Sequence, residues 1–257
     1  PDFERAVRET GVCVLALGVL ERHSDHLPLG TDFLNGHRLA CQAAQRAAAV
    51  VFPPFYFGQI YEARCFPGTL AIQPVLLLEL LTAVLDEIGR NGFKKIVLYN
   101  AHGGNGHLLP FIAQASLWQQ KPYTVYLHRD RLSPEAEKIW QQTVETTLHG
   151  HACECETSIS LANHPELVHM ERVPEPEEGA TRGRLSHLRG GMSGIWWYAD
   201  YPEHYAGDAR TASAEKGMIL RGLIVDSLAA YLKAVKEDAV TPALEQEFFE
   251  REGKLRG

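Results

Sequence analysis

No apolar run in this 257-residue chain is long enough to cross a bilayer: the longest, residues 11–20, is about half of what a spanning helix needs. No basic segment of the kind that opens a secretory signal precedes it, so a soluble, cytoplasmic protein without a membrane partner is expected. Basic clusters are missing too. With 25 Lys and Arg against 32 Asp and Glu, the net charge is −7, and no stripe exists to displace counterions from a phosphate backbone. Nucleic acid is therefore not an expected partner. The five cysteines are odd in number and scattered, which excludes a disulfide framework; Cys13 and Cys41 lie in apolar segments as small hydrophobes. Internal repeats, low-complexity linkers, a G-x-G-x-x-G run and a Walker lysine are all absent, so nucleotide binding has little support. What is present, 45% hydrophobic and 22% charged residues, is ordinary globular composition. One domain over residues 1–257 is the expectation, with an irregular, aromatic-rich excursion at about 174–210.

Short β-branched and apolar runs at residues 11–18, 94–99 and 123–127 have the pattern of strands buried on both faces. Between them, residues 36–49, 73–90 and 106–120 have helical spacing. Strand, helix, strand, helix, strand predicts an α/β fold, three-layer α/β/α around a mostly parallel sheet. Further helices are predicted at 133–148, opened by Ser133 and Pro134, at 156–162 and at 211–235, while residues 242–251 read as a polar, frayed end.

In open α/β sheets the ligand crevice lies beyond the carboxyl ends of the strands. The first two predicted strands run straight into polar clusters. After the first come Glu21, His23 and His26, then Pro28 and Gly30, which supply a bend, and then Asp32. Glu21 and His23, two apart, share a side in an extended segment. Two carboxylates and an imidazole suit Zn, Mn or Fe rather than Ca or Cu(I), although a solvated turn also contains such residues. The second cluster is Asn100-Ala-His102-Gly103-Gly104-Asn105, with a glycine turn whose N–H groups can face an anion; His107 reads as structural. The third runs from His151 through Cys153, Glu154, Cys155 and Glu156 to Ser158, and reads as a loop entering a helix with acidic residues near its N-terminus. Cys153-x-Cys155 alone is a weak zinc signal.

Together the clusters resemble the creatininase (creatinine amidohydrolase) family of metal-dependent hydrolases. Its pattern E-x-H-G-x-H-L-P-L-G-T-D, F-P-G-T, N-G-H-G-G-N and H-A-G-E-x-E-T-S is matched in order by the segments starting at Glu21, Phe66, Asn100 and His151. A weaker match opens a later helix at Ala214. The resemblance implies two divalent metal ions (Zn, Mn or Fe) in an α/β fold, assembled as a homohexamer. Glu21 and His102 would hold one ion, His23 the other, and Asp32 would bridge them. Creatininase itself uses a Glu where this chain, like many relatives, has glycine, here Gly104, and Glu156 is then the expected replacement ligand. His151 aligns with the catalytic histidine, and Asp32 is counted with it as catalytic because it would hold both ions at the attacking water.

The implied reaction is attack of a metal-bound hydroxide on the carbonyl of a small cyclic or linear amide, cleaving a C–N bond. Three carboxylates and two divalent ions leave +1, which one hydroxide neutralises; without ions the carboxylates repel. Gly103, Tyr61, Glu62, Trp196, Trp197 and His204 are the expected substrate contacts, the aromatic ones competing with a subunit-interface reading. The chain departs from the family pattern at Ser24, Ile60, Ala63, Ala101 and Cys153. Creatinine is therefore not the expected substrate. The alternatives are hydrolysis of a non-amide cyclic ketone, such as an oxidised inositol or sugar, and a non-catalytic metal-binding oligomer.

Overall fold

The computed structural model describes residues 2–129, 132–175, 182–189, 191 and 193–255. Of the expected irregular excursion, residues 176–181, 190 and 192 lie outside these.

After helix α1 (Asp2–Thr10), four strands, β1 (Val12–Leu17), β2 (Val50–Val51), β3 (Lys95–Asn100) and β4 (Thr124–His128), form a sheet in the order β2-β1-β3-β4 with every pairing parallel. Alternation along β1 divides the interior in two. Val12, Val14 and Ala16 pack with α2 (Thr31–Arg46) and α8 (Ala214–Glu237), while Cys13, Leu15 and Leu17 pack with α3 (Pro74–Arg90) and α4 (Leu108–Ala115). The result is three layers, with all six residues of β1 buried as a strand covered on both faces requires. Leu220, Leu228 and Leu232 of α8 are fully buried, and truncating any one to Ala would cost about 2–5 kcal/mol.

Caps set the helix starts. Gln73 accepts from Leu76 N ahead of Pro74 in α3, Ser133 accepts from Ala136 N to open α5 (Pro134–Thr143), and Ser213 accepts from Lys216 N to open α8. A small antiparallel pair, β5 (His149–His151) with β6 (Ala206–Gly207), lies outside the main sheet. β5 feeds α6 (Glu154–Asn163), which crosses α8 so closely that a Cβ at Gly217 would collide with the Ser158 carbonyl.

Several boundaries differ from the sequence pattern. α2 begins at Thr31, not residue 36, so Asp32 sits in its first turn. The helix expected over 106–120 is a 3-10 turn at Gly103–Gly106, then α4, then a 3-10 turn at Ser116–Trp118. The helix from Ser133 stops at Thr143, because the N–H groups of Glu145 and Thr146 bond to the Glu154 carboxylate instead. The predicted frayed end is a 16-residue helix, α9 (Val240–Leu255), whose start is fixed by Asp238 Oδ1 accepting from Val240 N at 2.8 Å. The excursion holds a short helix, α7 (Trp196–Asp200). Among the described residues no helix is long and apolar enough to cross a membrane.

Candidate metal centre and active site

Four segments converge beyond the carboxyl ends of β1 and β3. The chain leaving β1 carries Glu21 and His23, the first turn of α2 presents Asp32, His102 follows β3, and β5 with the start of α6 supplies His151 and Glu156. Asn105 ties this end together: its Nδ2 donates to Leu17 O at 3.2 Å and its Oδ1 accepts from Gln59 N at 2.9 Å.

The groups at the centre could hold a cation. Glu21 Oε1 and Asp32 Oδ2 each lie 2.9 Å from His102 Nδ1, yet both oxygens are buried and neither accepts a hydrogen bond. Buried carboxylate oxygens without partners are costly unless a positive charge meets them. The far side of the His102 ring is held at Nε2, which donates to Gln59 O at 2.9 Å and so leaves Nδ1 bare toward the two carboxylates. The other Asp32 oxygen, Oδ1, is 3.1 Å from His23 Nε2. His23, His151 and Glu156 bring ligand atoms within 4.8 Å of one another, as do Glu21, Asp32 and His102. Asp32 thus turns one oxygen to each group.

Charge within the cluster is consistent with that reading. Burial opposes ionisation of Glu21, but the charges of His102 and His151, with a bond from His204, hold it well below the usual carboxylate range. Burial opposes the imidazolium of His23, yet Asp32, Glu21 and Glu156 push it up to about 10; His102 is raised well above its ordinary value against burial by Glu21 and Asp32. Burial, with Cys153, Asp32 and Glu21 as further negative neighbours, raises Glu156 to about 8 despite His23. Three carboxylates here demand positive charge, supplied by protons or by metal. His151 differs: burial lowers it to about 3 against the pull of Glu21, helped by His23 and His204. Burial thus favours the neutral imidazole, and its Nε2 meets Arg22 O at 2.8 Å.

Around the centre lies a cavity of about 700 Å³ lined by Tyr61, Glu62, Gly103, Trp196, Trp197 and His204, and by Glu21, His102, His151 and Glu156. Every residue named from sequence as a ligand or substrate contact, apart from the buried His23 and Asp32, therefore borders one space. His107 also lines it. His204 does more than line the wall. It is buried, its Nε2 is 2.6 Å from Glu21 Oε2, and its Nδ1 accepts from Trp197 Nε1 at 3.1 Å. The sequence left no signal for that bond, since residues 204 and 21 are 183 apart and no motif joins them. Gln59 was missed as well; only its position near Glu62, to which its Nε2 donates at 2.8 Å, hinted at it.

The creatininase family model, described as creatinine amidohydrolase, matches residues 1–232. The chain belongs to the creatininase family. A curated member, the 3-dehydro-scyllo-inosose hydrolase of Thermotoga maritima, is 27% identical over 260 residues, 92% of this chain and 80% of that protein. The creatinine amidohydrolase of Pseudomonas putida is 27% identical over 190 residues, covering 67% and 72%. A mycofactocin precursor peptide peptidase from Mycolicibacterium smegmatis is 28% identical over 235 residues, covering 88% and 85%. A mutant creatininase of Zn–Zn type superposes with a TM-score of 0.76 at 21% identity, over 92% of this chain and 95% of that one. These matches fix the fold and family and leave the substrate open, because family members carry different names.

In this creatininase-family chain the packing around Gly104 leaves no room for a side chain. A Cβ there would sit 2.5 Å from His102 Nε2 and 2.6 Å from Gln59 O, inside the bond that orients His102. A glutamate at position 104 is incompatible with that arrangement, and Glu156 approaches the His23 side from α6 instead. Glu156 Oε2 accepts from Ala152 N at 2.5 Å, a bond that closes the turn between β5 and α6.

Proposed function

We propose that the chain is a dinuclear, metal-dependent hydrolase that cleaves a C–N bond in a small cyclic or linear amide. The observation that carries this reading is the pair of buried, unpartnered oxygens, Glu21 Oε1 and Asp32 Oδ2, facing the bare Nδ1 of His102. Glu21 and His102 would hold one divalent ion, His23 and Glu156 the second, with Asp32 between them; the mixed oxygen and nitrogen donors suit zinc, manganese or iron. Ions held there would lower the pKa of water and polarise a carbonyl.

The protein's own groups supply the rest. A neutral His151 whose Nε2–H donates to Arg22 O keeps Nδ1 free to take a proton and return it to a leaving nitrogen. The N–H groups of the turn beginning at Gly103 are suited to an oxyanion. Trp196, Trp197, Tyr61 and Glu62 enclose a ligand against the centre and limit water, and His204 holds Glu21 in place. For assembly we propose a homo-oligomer in the cytoplasm, a hexamer by family resemblance; exposed Val240, Leu244 and Phe248, four apart on α9, offer an apolar stripe for contact.

A second reading, ring cleavage of an oxidised inositol, is favoured by the inosose hydrolase being matched over 92% of this chain. The hydrogen-bonding wall of Gln59 and Glu62 would suit a polyhydroxylated ring. A panel of lactams, formamides and keto-inositols separates the two, with amide turnover expected. By elemental analysis of metal-resupplied protein, Asp32→Ala is expected to hold two ions per chain fewer than the wild type and to lose all turnover. Normal hydrolysis by Asp32→Ala would refute the assignment.

A further inference from the structure

Beside the carboxylate cluster, and sharing none of its side chains, lies a group with softer donors. His149, Cys153 and Cys155 bring one imidazole nitrogen and two sulfurs within 4.8 Å of one another. Cys155 Sγ is 3.4 Å from His149 Nδ1. In a tetrahedral zinc site, with bonds of about 2.3 Å to sulfur and about 2.0 Å to nitrogen, that separation comes to about 3.6 Å. The observed spacing needs only a small adjustment. Both sulfurs are buried, whereas His149 is exposed, so a cation has a route in and a fourth position facing water.

The surroundings make room for the sulfurs. Cys153 precedes the first residue of α6 and Cys155 is the second residue of that helix. Opposite, β6 contributes Gly207, where a Cβ would lie 2.5 Å from Cys153 Cβ. His149 is on β5, two residues before His151. Cysteine spacing alone gave a weak signal because the third donor comes from the preceding strand, four residues upstream of Cys153.

We propose that His149, Cys153 and Cys155 form a second, independent metal site that takes one thiophilic divalent cation such as zinc. The cation ties β5 to the start of α6 and so stiffens the segment that carries His151 and Glu156. Binding exchanges two thiol protons, released to solvent, for two sulfur–metal bonds, with no change in oxidation state.

Cobalt(II) is the probe, because a thiolate–cobalt charge-transfer band in the near ultraviolet reports sulfur ligation, and the carboxylate cluster contains no sulfur. Full-length protein, stripped of metal and kept reduced, is titrated with cobalt chloride. The band is expected in the wild-type protein, to saturate at one cobalt per chain in Asp32→Ala, to persist in Cys41→Ser, and to vanish in Cys155→Ser. His149→Ala, at an exposed position that keeps both sulfurs, is expected to weaken cobalt binding at least tenfold, which covers the case in which a cysteine variant fails to fold. No band in the wild-type protein, a band that survives Cys155→Ser, or unchanged affinity in His149→Ala each overturns the proposal. Loss of cobalt only from the carboxylate cluster leaves the band intact, so the two sites fail separately.

Discussion

The bond from His204 to Glu21 is the sharpest place to test how the centre is held. Trp197 Nε1 donates to His204 Nδ1 at 3.1 Å, which fixes the tautomer so that Nε2–H donates to Glu21 Oε2 at 2.6 Å. Removing the imidazole strips a buried carboxylate of a donor, and a hydrogen bond to a charged group contributes about 1.5–3 kcal/mol. Through Glu21 that corresponds to a loss of roughly 10- to 100-fold in metal affinity, the usual range when a ligand's supporting partner is removed. His204→Ala should show that loss in competition titrations against a chromophoric chelator, with kcat falling more than KM rises. His204→Gln, which retains a donor at similar reach, should recover part of it. Trp197→Phe keeps ring bulk and deletes only the indole N–H, a neutral bond of about 1 kcal/mol, so roughly fivefold is expected. If Trp197 acts through His204, that fivefold disappears in the His204→Ala background. An equal effect of Trp197→Phe in both backgrounds, expressed in KM alone, would refute the reasoning and make Trp197 a substrate contact only.

Two further outcomes follow from neighbouring groups. Glu154 is buried, accepts from Glu145 N, Thr146 N and Thr146 Oγ1, and pairs with Lys216; against burial, these hold its carboxyl down at about 2 from an ordinary 4.5. A depressed folded-state value contributes stability that is present above about pH 4.5 and lost as pH falls toward 2, so Glu154→Gln should lower unfolding free energy by about 3 kcal/mol at pH 7. Urea melts should show that gap closing between pH 4.5 and 2; a gap independent of pH would count against the ion pair. Gly104→Ala should break the His102–Gln59 bond and cost about 1–3 kcal/mol with a matching fall in bound metal, while Gly106→Ala, with nothing within 4 Å of the added methyl, should leave metal content unchanged.

β1 and β3 were legible because each is a buried run bounded by turn residues, half-buried β4 because its residues are β-branched, aromatic and apolar, and their helices because apolar spacing and caps agree. What escaped was short or non-local. β2 has two residues and takes its strand character from pairing with Cys13 and Val14. α9 has no buried residue: Val240, Leu244 and Phe248 stay exposed among charged neighbours, so the polar composition of residues 242–251 read as a frayed end. At the site, Glu21, His23, Asp32, His102, His151 and Glu156 could be named because they sit in local motifs. Gln59 and the supporting role of His204 could not, because their partners are brought to them only by tertiary structure.

Backbone conformation gives the same division a physical meaning. Among the described residues, the non-glycine positions with positive φ are Ser24 at 56°, Ala152 at 51° and His204 at 54°. Left-handed backbone costs a residue with a Cβ about 1–2 kcal/mol. Ser24 follows His23, Ala152 follows His151 and donates to Glu156, and His204 holds Glu21. Ser24 stands where the family pattern has glycine, so this chain accepts strain there that a glycine would relieve. Such strain persists only where surrounding contacts fix the backbone, and here those contacts are the cluster itself. The cluster's carboxylates and imidazoles are in turn stable together only when their charge is balanced. Balancing that charge with ions in place of protons is then what would let the segments around Ser24, Ala152 and His204 carry their strain at neutral pH.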